Sequence, residues 1–117
     1  MGYILIIEDE SLILNFMTEV LSRAGHRVES AVDGREGIEK FNNGRFDLVI
    51  TDICMPVVSG NSVVKHIHHS TQKTIPVLGI SGTPFYMNAS SFNATLNKPL
   101  HVKPFLQTVS NLLNPPP

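Results

Sequence analysis

Five short apolar runs alternate with segments of helical periodicity, and this alternation constrains the chain more than any other feature. Tyr3-Ile-Leu-Ile-Ile7 is apolar throughout, which suits a strand covered on both faces rather than one with a wet side. Leu12, Phe16, Val20 and Leu21 then recur at helical spacing and predict a helix with these residues in its core stripe, stopped by Gly25. Arg27 to Val32 reads as a second strand. Asp33 is placed to cap a helix through Ile38 and Phe41, closed by Asn43-Gly44. Phe46 to Asp52 is the third strand. A loop with Pro56 and Gly60 leads to a helix carrying Val63, Val64 and Ile67, and Ile75 to Ile80 forms the fourth strand. Thr95-Leu96-Asn97 is a short fifth strand. Phe105, Leu106, Val109, Leu112 and Leu113 make the apolar stripe of a last helix. Strands alternating with helices imply an α/β sandwich built on a parallel sheet.

A chain of 117 residues fits one domain, taken here as 1–117. Its formal net charge of −1 gives no basic surface for nucleic acid. The lone Cys54 excludes an internal disulfide and fits a reducing compartment. The first apolar run ends after five residues in Glu8-Asp9-Glu10, too short and too acidic for a signal peptide or a membrane span. A cytoplasmic location without membrane contact is therefore expected. Pro115-Pro116-Pro117 cannot continue a helix and reads as a chain end or the stub of a linker.

In an open parallel sheet, ligands bind at the carboxyl ends of the strands. Strand one ends in Glu8 and Asp9, strand three in Asp52, strand four in Ser81, and strand five runs into Lys98. Carboxylates gathered on one rim repel each other unless something positive sits among them. A hard divalent cation with oxygen ligands answers that need, and Mg²⁺ also couples to phosphate oxygens. Asp52 is then a candidate nucleophile toward phosphorus, forming an acyl phosphate. Lys98 and the cation would offset charge on the transferring group, and Ser81 would hydrogen-bond a phosphoryl oxygen. Taken singly, each residue has a plainer reading: the acidic pair as a helix start, Asp52 as a turn residue, Lys98 as a solvated lysine. Their joint placement at successive strand ends is what favours a site.

Ile6-Ile-Glu-Asp-Glu10, Asp47-Leu-Val-Ile-Thr-Asp-Ile-Cys-Met-Pro56 with Gly60, Ile80-Ser-Gly82 and Lys98-Pro99 resemble, in order and across nearly the whole chain, the motifs of response-regulator receiver domains. The resemblance implies a flavodoxin-like three-layer sandwich with strand order 2-1-3-4-5. It implies that Asp52 accepts a phosphoryl group from a sensor histidine kinase or phosphotransfer protein. Asp9 and Asp52 would bind Mg²⁺ directly together with the Cys54 backbone carbonyl, and Glu8 through water. Ser81 matches the switch hydroxyl, and Lys98 the lysine that pairs with the phosphoryl group. The Lys98-Pro99 bond is expected to be cis. The chain would be a switch acting on a downstream protein rather than an enzyme, and the outer face of its first helix is where kinases often dock in this family.

Lys103-Pro-Phe105 also resembles the family's lysine motif. Counted forward from Ser81, Lys103 has the more usual spacing. Counted back from the last helix, Lys98 leaves a full apolar stripe, whereas Lys103 would leave a helix cut short by the terminal prolines; Lys98 is preferred. The stretch after Ser81 is then shorter than in the family, so a fourth helix there is expected to be shortened or irregular. Thr95 stands where the family usually has an aromatic switch residue, and Phe85, Tyr86 or Phe92 are possible replacements. Cys54 and Thr83 occupy positions that tune acyl-phosphate hydrolysis in relatives. Cys is a weak hydrogen-bonding group, so slow self-dephosphorylation is expected. His66 and His69 share a helix face, which reads better as a solvated helix end than as a metal site. Two other functions compete: a degenerate receiver that only binds protein, and a Mg²⁺-dependent aspartyl phosphatase. The second is disfavoured because no cap domain is encoded.

Overall fold

Apolar residues on both sides of a strand need two covering layers, and the computed structural model of the chain supplies them. It describes residues 2–55, 58–82 and 91–115. Strands β1 (Tyr3–Ile7), β2 (Arg27–Ala31), β3 (Leu48–Asp52), β4 (Val77–Ser81) and β5 (Ala94–Asn97) form one sheet in the order β2-β1-β3-β4-β5. Every neighbouring pair is parallel. The helices are α1 (Ser11–Arg23), α2 (Gly34–Asn43), α3 (Gly60–His68) and α4 (Val102–Leu113). The flavodoxin-like order expected from the resemblance is the one observed.

Side-chain alternation along each strand sorts the apolar runs into two cores. Leu5, Ile7, Val49 and Val77 face one way, against Phe41 of α2 and Val63, Val64 and Ile67 of α3. Ile4, Ile6, Leu48, Ile50, Leu78 and Ile80 face the other way, against Leu14, Met17 and Leu21 of α1 and Phe105 and Val109 of α4. The predicted stripe of α4 is the one observed, with Phe105 and Val109 buried and Leu106, Leu112 and Leu113 packed at the margin of the same core. The stripe of α1 needs correction. Leu12, expected in the core, is 83% exposed, while Leu14 and Met17 are buried. Leu12 lies two residues before Leu14, about 200° around the helix, so the face that packs Leu14, Met17 and Leu21 turns Leu12 outward.

Local chemistry sets the element ends. Asp33 caps α2 by accepting a hydrogen bond from the Glu36 N–H at 2.8 Å. Gly25, at φ +94°, takes the left-handed turn after α1. The segment expected to hold a shortened fourth helix, together with Thr83, Phe85 and Tyr86, lies outside the described residues. Phe92 is described: it is buried and packs against Gly79. Among the described residues, no helix is long and apolar enough to cross a membrane.

One histidine ties the chain start to β2. His26 Nδ1 accepts a hydrogen bond from the Gly2 N–H at 3.0 Å, and burial holds its pKa below the ordinary 6.5. Protonation would turn that acceptor into a donor. Its contribution is thus complete above 6.5 and lost as pH falls through the lower folded value. Thermal unfolding across this window should show a loss in the native chain that Gln in place of His26 reduces. An equal loss in His26→Gln would assign the drop to other groups.

Candidate functional site

The parallel sheet brings every carboxyl end to one rim, and the buried polar side chains gather there. Glu8, Thr51, Asp52 and Ser81 are buried. Glu8 follows β1 directly, and its backbone N–H donates to Ala31 O at 3.0 Å, which continues the β1–β2 ladder by one step. Its Oε2 accepts from the Glu10 N–H at 3.0 Å.

Asp52 closes β3, with the Cys54 N–H donating to its Oδ1 at 3.3 Å. The chain behind Asp52 is clamped by Gly60, whose N–H donates to Ile53 O at 2.9 Å. A Cβ at Gly60 would stand 2.3 Å from Asp52 O, so only glycine lets α3 begin this close to the site. Ser81 ends β4, and its carbonyl accepts from the Lys98 N–H at 2.8 Å. That bond places Lys98 beside the rim, before a cis Lys98-Pro99 peptide.

From this position the ammonium meets three carboxylates. Lys98 Nζ lies 3.1 Å from Asp52 Oδ2, 3.0 Å from Glu10 Oε1 and 3.4 Å from Glu8 Oε1. Lys103, the competing lysine, is exposed in the first turn of α4. Burial alone would lower the Lys98 pKa, but the hydrogen bond to Glu10 and the charges of Glu8 and Asp52 outweigh it and leave it raised. Burial, and then the nearby charge of Asp52, push the Glu8 carboxyl up to about 7, against the opposing pull of the Glu10 N–H and Lys98.

The oxygens of Glu8, Glu10 and Asp52 all lie within 4.8 Å of one another. Glu8 Oε1 is buried and has no hydrogen-bond partner. Hard oxygen donors, an unsatisfied buried acceptor and concentrated negative charge suit a divalent cation such as Mg²⁺. Asp9, implied by the resemblance as a ligand, is exposed and stands outside this trio. Glu10, which the sequence reading did not single out, stands inside it. The chain bends at Asp9, and the Glu10 N–H bond to Glu8 Oε2 across that bend keeps the two glutamates together, an arrangement that no apolar pattern announces. Cys54 is exposed at the rim. His66 instead donates from Nε2 to Asn42 Oδ1 at 2.8 Å, and no histidine belongs to a metal-ligating group among the described residues.

A family model described as the response regulator receiver domain matches residues 4–109. The hybrid signal transduction histidine kinase G of Dictyostelium discoideum is 35% identical over 109 residues, 86% of this chain. The transcriptional regulatory protein YrkP of Bacillus subtilis is 40% identical over 75 residues, 64% of this chain. The chain spans 3% of the length of the first relative and 31% of the second. Among solved structures, the chemotaxis response regulator CheY4 of Vibrio cholerae matches with a TM-score of 0.88 and 30% identity, covering 96% of this chain and 98% of that one. The response regulator TrrA of Thermotoga maritima, solved with Mg²⁺ and BeF, matches at 0.88 with 28% identity, covering 96% and 99%.

Removing the ammonium should expose the strain among the carboxylates. In chelator, Lys98→Ala is expected to lose about 3 kcal/mol of stability, the lower end for breaking a buried pair, because Glu8 can take up a proton. Mg²⁺ should restore more stability to the variant than it adds to the native chain. Denaturant unfolding with and without Mg²⁺ checks this; equal midpoints for both chains in chelator would remove Lys98 as the balancing charge.

Proposed function

Because the chain belongs to the response regulator receiver domain family, we propose that it is a phosphoacceptor switch of two-component signalling. In this reading Asp52 receives a phosphoryl group from the phosphohistidine of a sensor histidine kinase or phosphotransfer protein, and the change alters binding to a downstream protein. The observation that carries it is the contact of the buried Asp52 carboxylate with Lys98 Nζ at 3.1 Å, beside the buried Glu8 Oε1, which accepts no hydrogen bond.

An Asp52 carboxylate oxygen would attack phosphorus, the P–N bond to the donor imidazole would break, and its electron pair would return to the ring. Lys98 would then pair with the phosphoryl oxygens, which are rich in negative charge. Ser81, at the end of the neighbouring strand, would supply a hydroxyl to one of them. As the family pattern has them, Asp9 and Asp52 would hold Mg²⁺ directly with the Cys54 carbonyl, and Glu8 would act through water. Mg²⁺, when bound, supplies positive charge that offsets the carboxylates and the incoming phosphoryl group. The protein would act in the cytoplasm as a switch rather than as a turnover enzyme.

Intact mass after incubation with Mg²⁺ and acetyl phosphate tests the reading. A single phosphoryl adduct is expected in the native chain, and none in Asp52→Asn or in chelator. Absence of the adduct in the native chain, with Mg²⁺ binding also absent, would leave a receiver fold used only to bind protein. Turnover of a small phosphate ester would instead favour a phosphatase.

The lifetime of the adduct is a separate prediction. Cys54 is a poor hydrogen-bonding group for an attacking water, so the phosphoryl group should persist well beyond seconds at neutral pH. Following adduct mass after removal of the donor measures it, and decay within seconds would refute it.

A further inference from the structure

The geometry points to Glu10 as a positioning residue that holds Lys98 in place of the phosphoryl group and makes the rim resist anions while attracting cations. This rests on the phosphoacceptor reading of Asp52.

Glu10 occupies the N-cap of α1, yet its side chain makes no cap hydrogen bond. Its Oε1 instead accepts from Lys98 Nζ at 3.0 Å, the shortest of the three carboxylate contacts to that ammonium. The Glu10 side chain is 60% exposed, whereas those of Glu8 and Asp52 are 0% and 3%. Glu10 is therefore the solvent-side member of the cluster. It also lines a cavity of about 520 Å³ between α1 and the Lys98-Pro99-Leu100 turn, so its carboxylate is open to solution on that side.

Two consequences follow from charge alone. Three carboxylates against one ammonium leave the cluster at a formal −2 when all are ionised, and Glu8 Oε1, 3.4 Å from that ammonium but accepting no hydrogen bond, leaves it receptive to a cation. Glu10 strengthens that attraction. The same charge opposes an incoming phosphoryl donor, and its hydrogen bond occupies an ammonium donor that a phosphoryl oxygen would otherwise take. Cation affinity and phosphoryl loading are thus set against each other by one side chain.

The variants Glu10→Gln and Glu10→Asp test this in the full chain. Mg²⁺ affinity is read by NMR titration. Loading is read by intact mass, as acetyl phosphate passes its phosphoryl group to an Asp52 oxygen and acetate leaves. With an exposed charge removed, Glu10→Gln should weaken Mg²⁺ binding by about two- to fivefold and, at saturating Mg²⁺, speed loading by about two- to fivefold. Glu10→Asp, which keeps the charge, should retain cation affinity near the native value. The difference in loading between native and Glu10→Gln should narrow as salt rises. A merely structural role would lower both quantities together. Glu10→Gln that loads no faster than native, or binds Mg²⁺ as tightly, overturns the inference alone. Absence of any adduct in the native chain overturns the phosphoacceptor reading and this inference with it.

Discussion

Burial of the central strands on both faces is the constraint from which the rest of the structure follows. β3 and β4 are buried at every residue, and β1 at all but Tyr3. A strand in that position has no side free for charge, so it needs helices above and below it, and the connections that supply them make the strands parallel. Parallel strands end on one edge. Polar residues excluded from the strand interiors therefore collect at that edge, where Glu8, Asp52 and Ser81 are all found.

What gathers there is electrostatically unbalanced. Glu8 and Asp52 have been taken out of water without enough positive charge to compensate, and burial raises the Glu8 pKa accordingly. Lys98 relieves part of this by meeting three carboxylates at once. Its backbone is held to Ser81 at 2.8 Å, so the compensating charge is carried by the sheet itself rather than by a loose loop. An acceptor left without a hydrogen bond in such a place, as Glu8 Oε1 is, costs stability, and a cation would recover it. The arrangement that makes the rim unfavourable when bare is the one that makes it receptive to metal and phosphate.

All five strands were legible within one or two residues: β1, β3 and β4 because a doubly covered strand leaves a continuous apolar signature, the partly exposed β2 and β5 from their place between helices and turns. Helix existence was equally legible from spacing and from caps such as Asp33. Helix orientation was less so. Leu12 fits an apolar period in α1, but which arc of a broadly apolar helix faces the sheet depends on how the helix docks, and docking turned Leu12 to solvent. Phe92 likewise became a core residue against Gly79, a contact that no local pattern announces.

The candidate site divides along the same line. The sequence by itself determined which residues stand at strand ends, and so nominated Glu8, Asp9, Asp52, Ser81 and Lys98, because an apolar run and its polar stop are adjacent in the chain. Tertiary structure alone decided that Glu10 joins Glu8 and Asp52 while Asp9 is exposed, and how closely Lys98, already preferred over Lys103, approaches the three carboxylates. The contacts concerned join residues far apart in sequence, Glu10 with Lys98 and Asp52 with Lys98. Their distances depend on the register of a sheet and on the direction in which each side chain leaves its strand, and both exist only once the strands are paired.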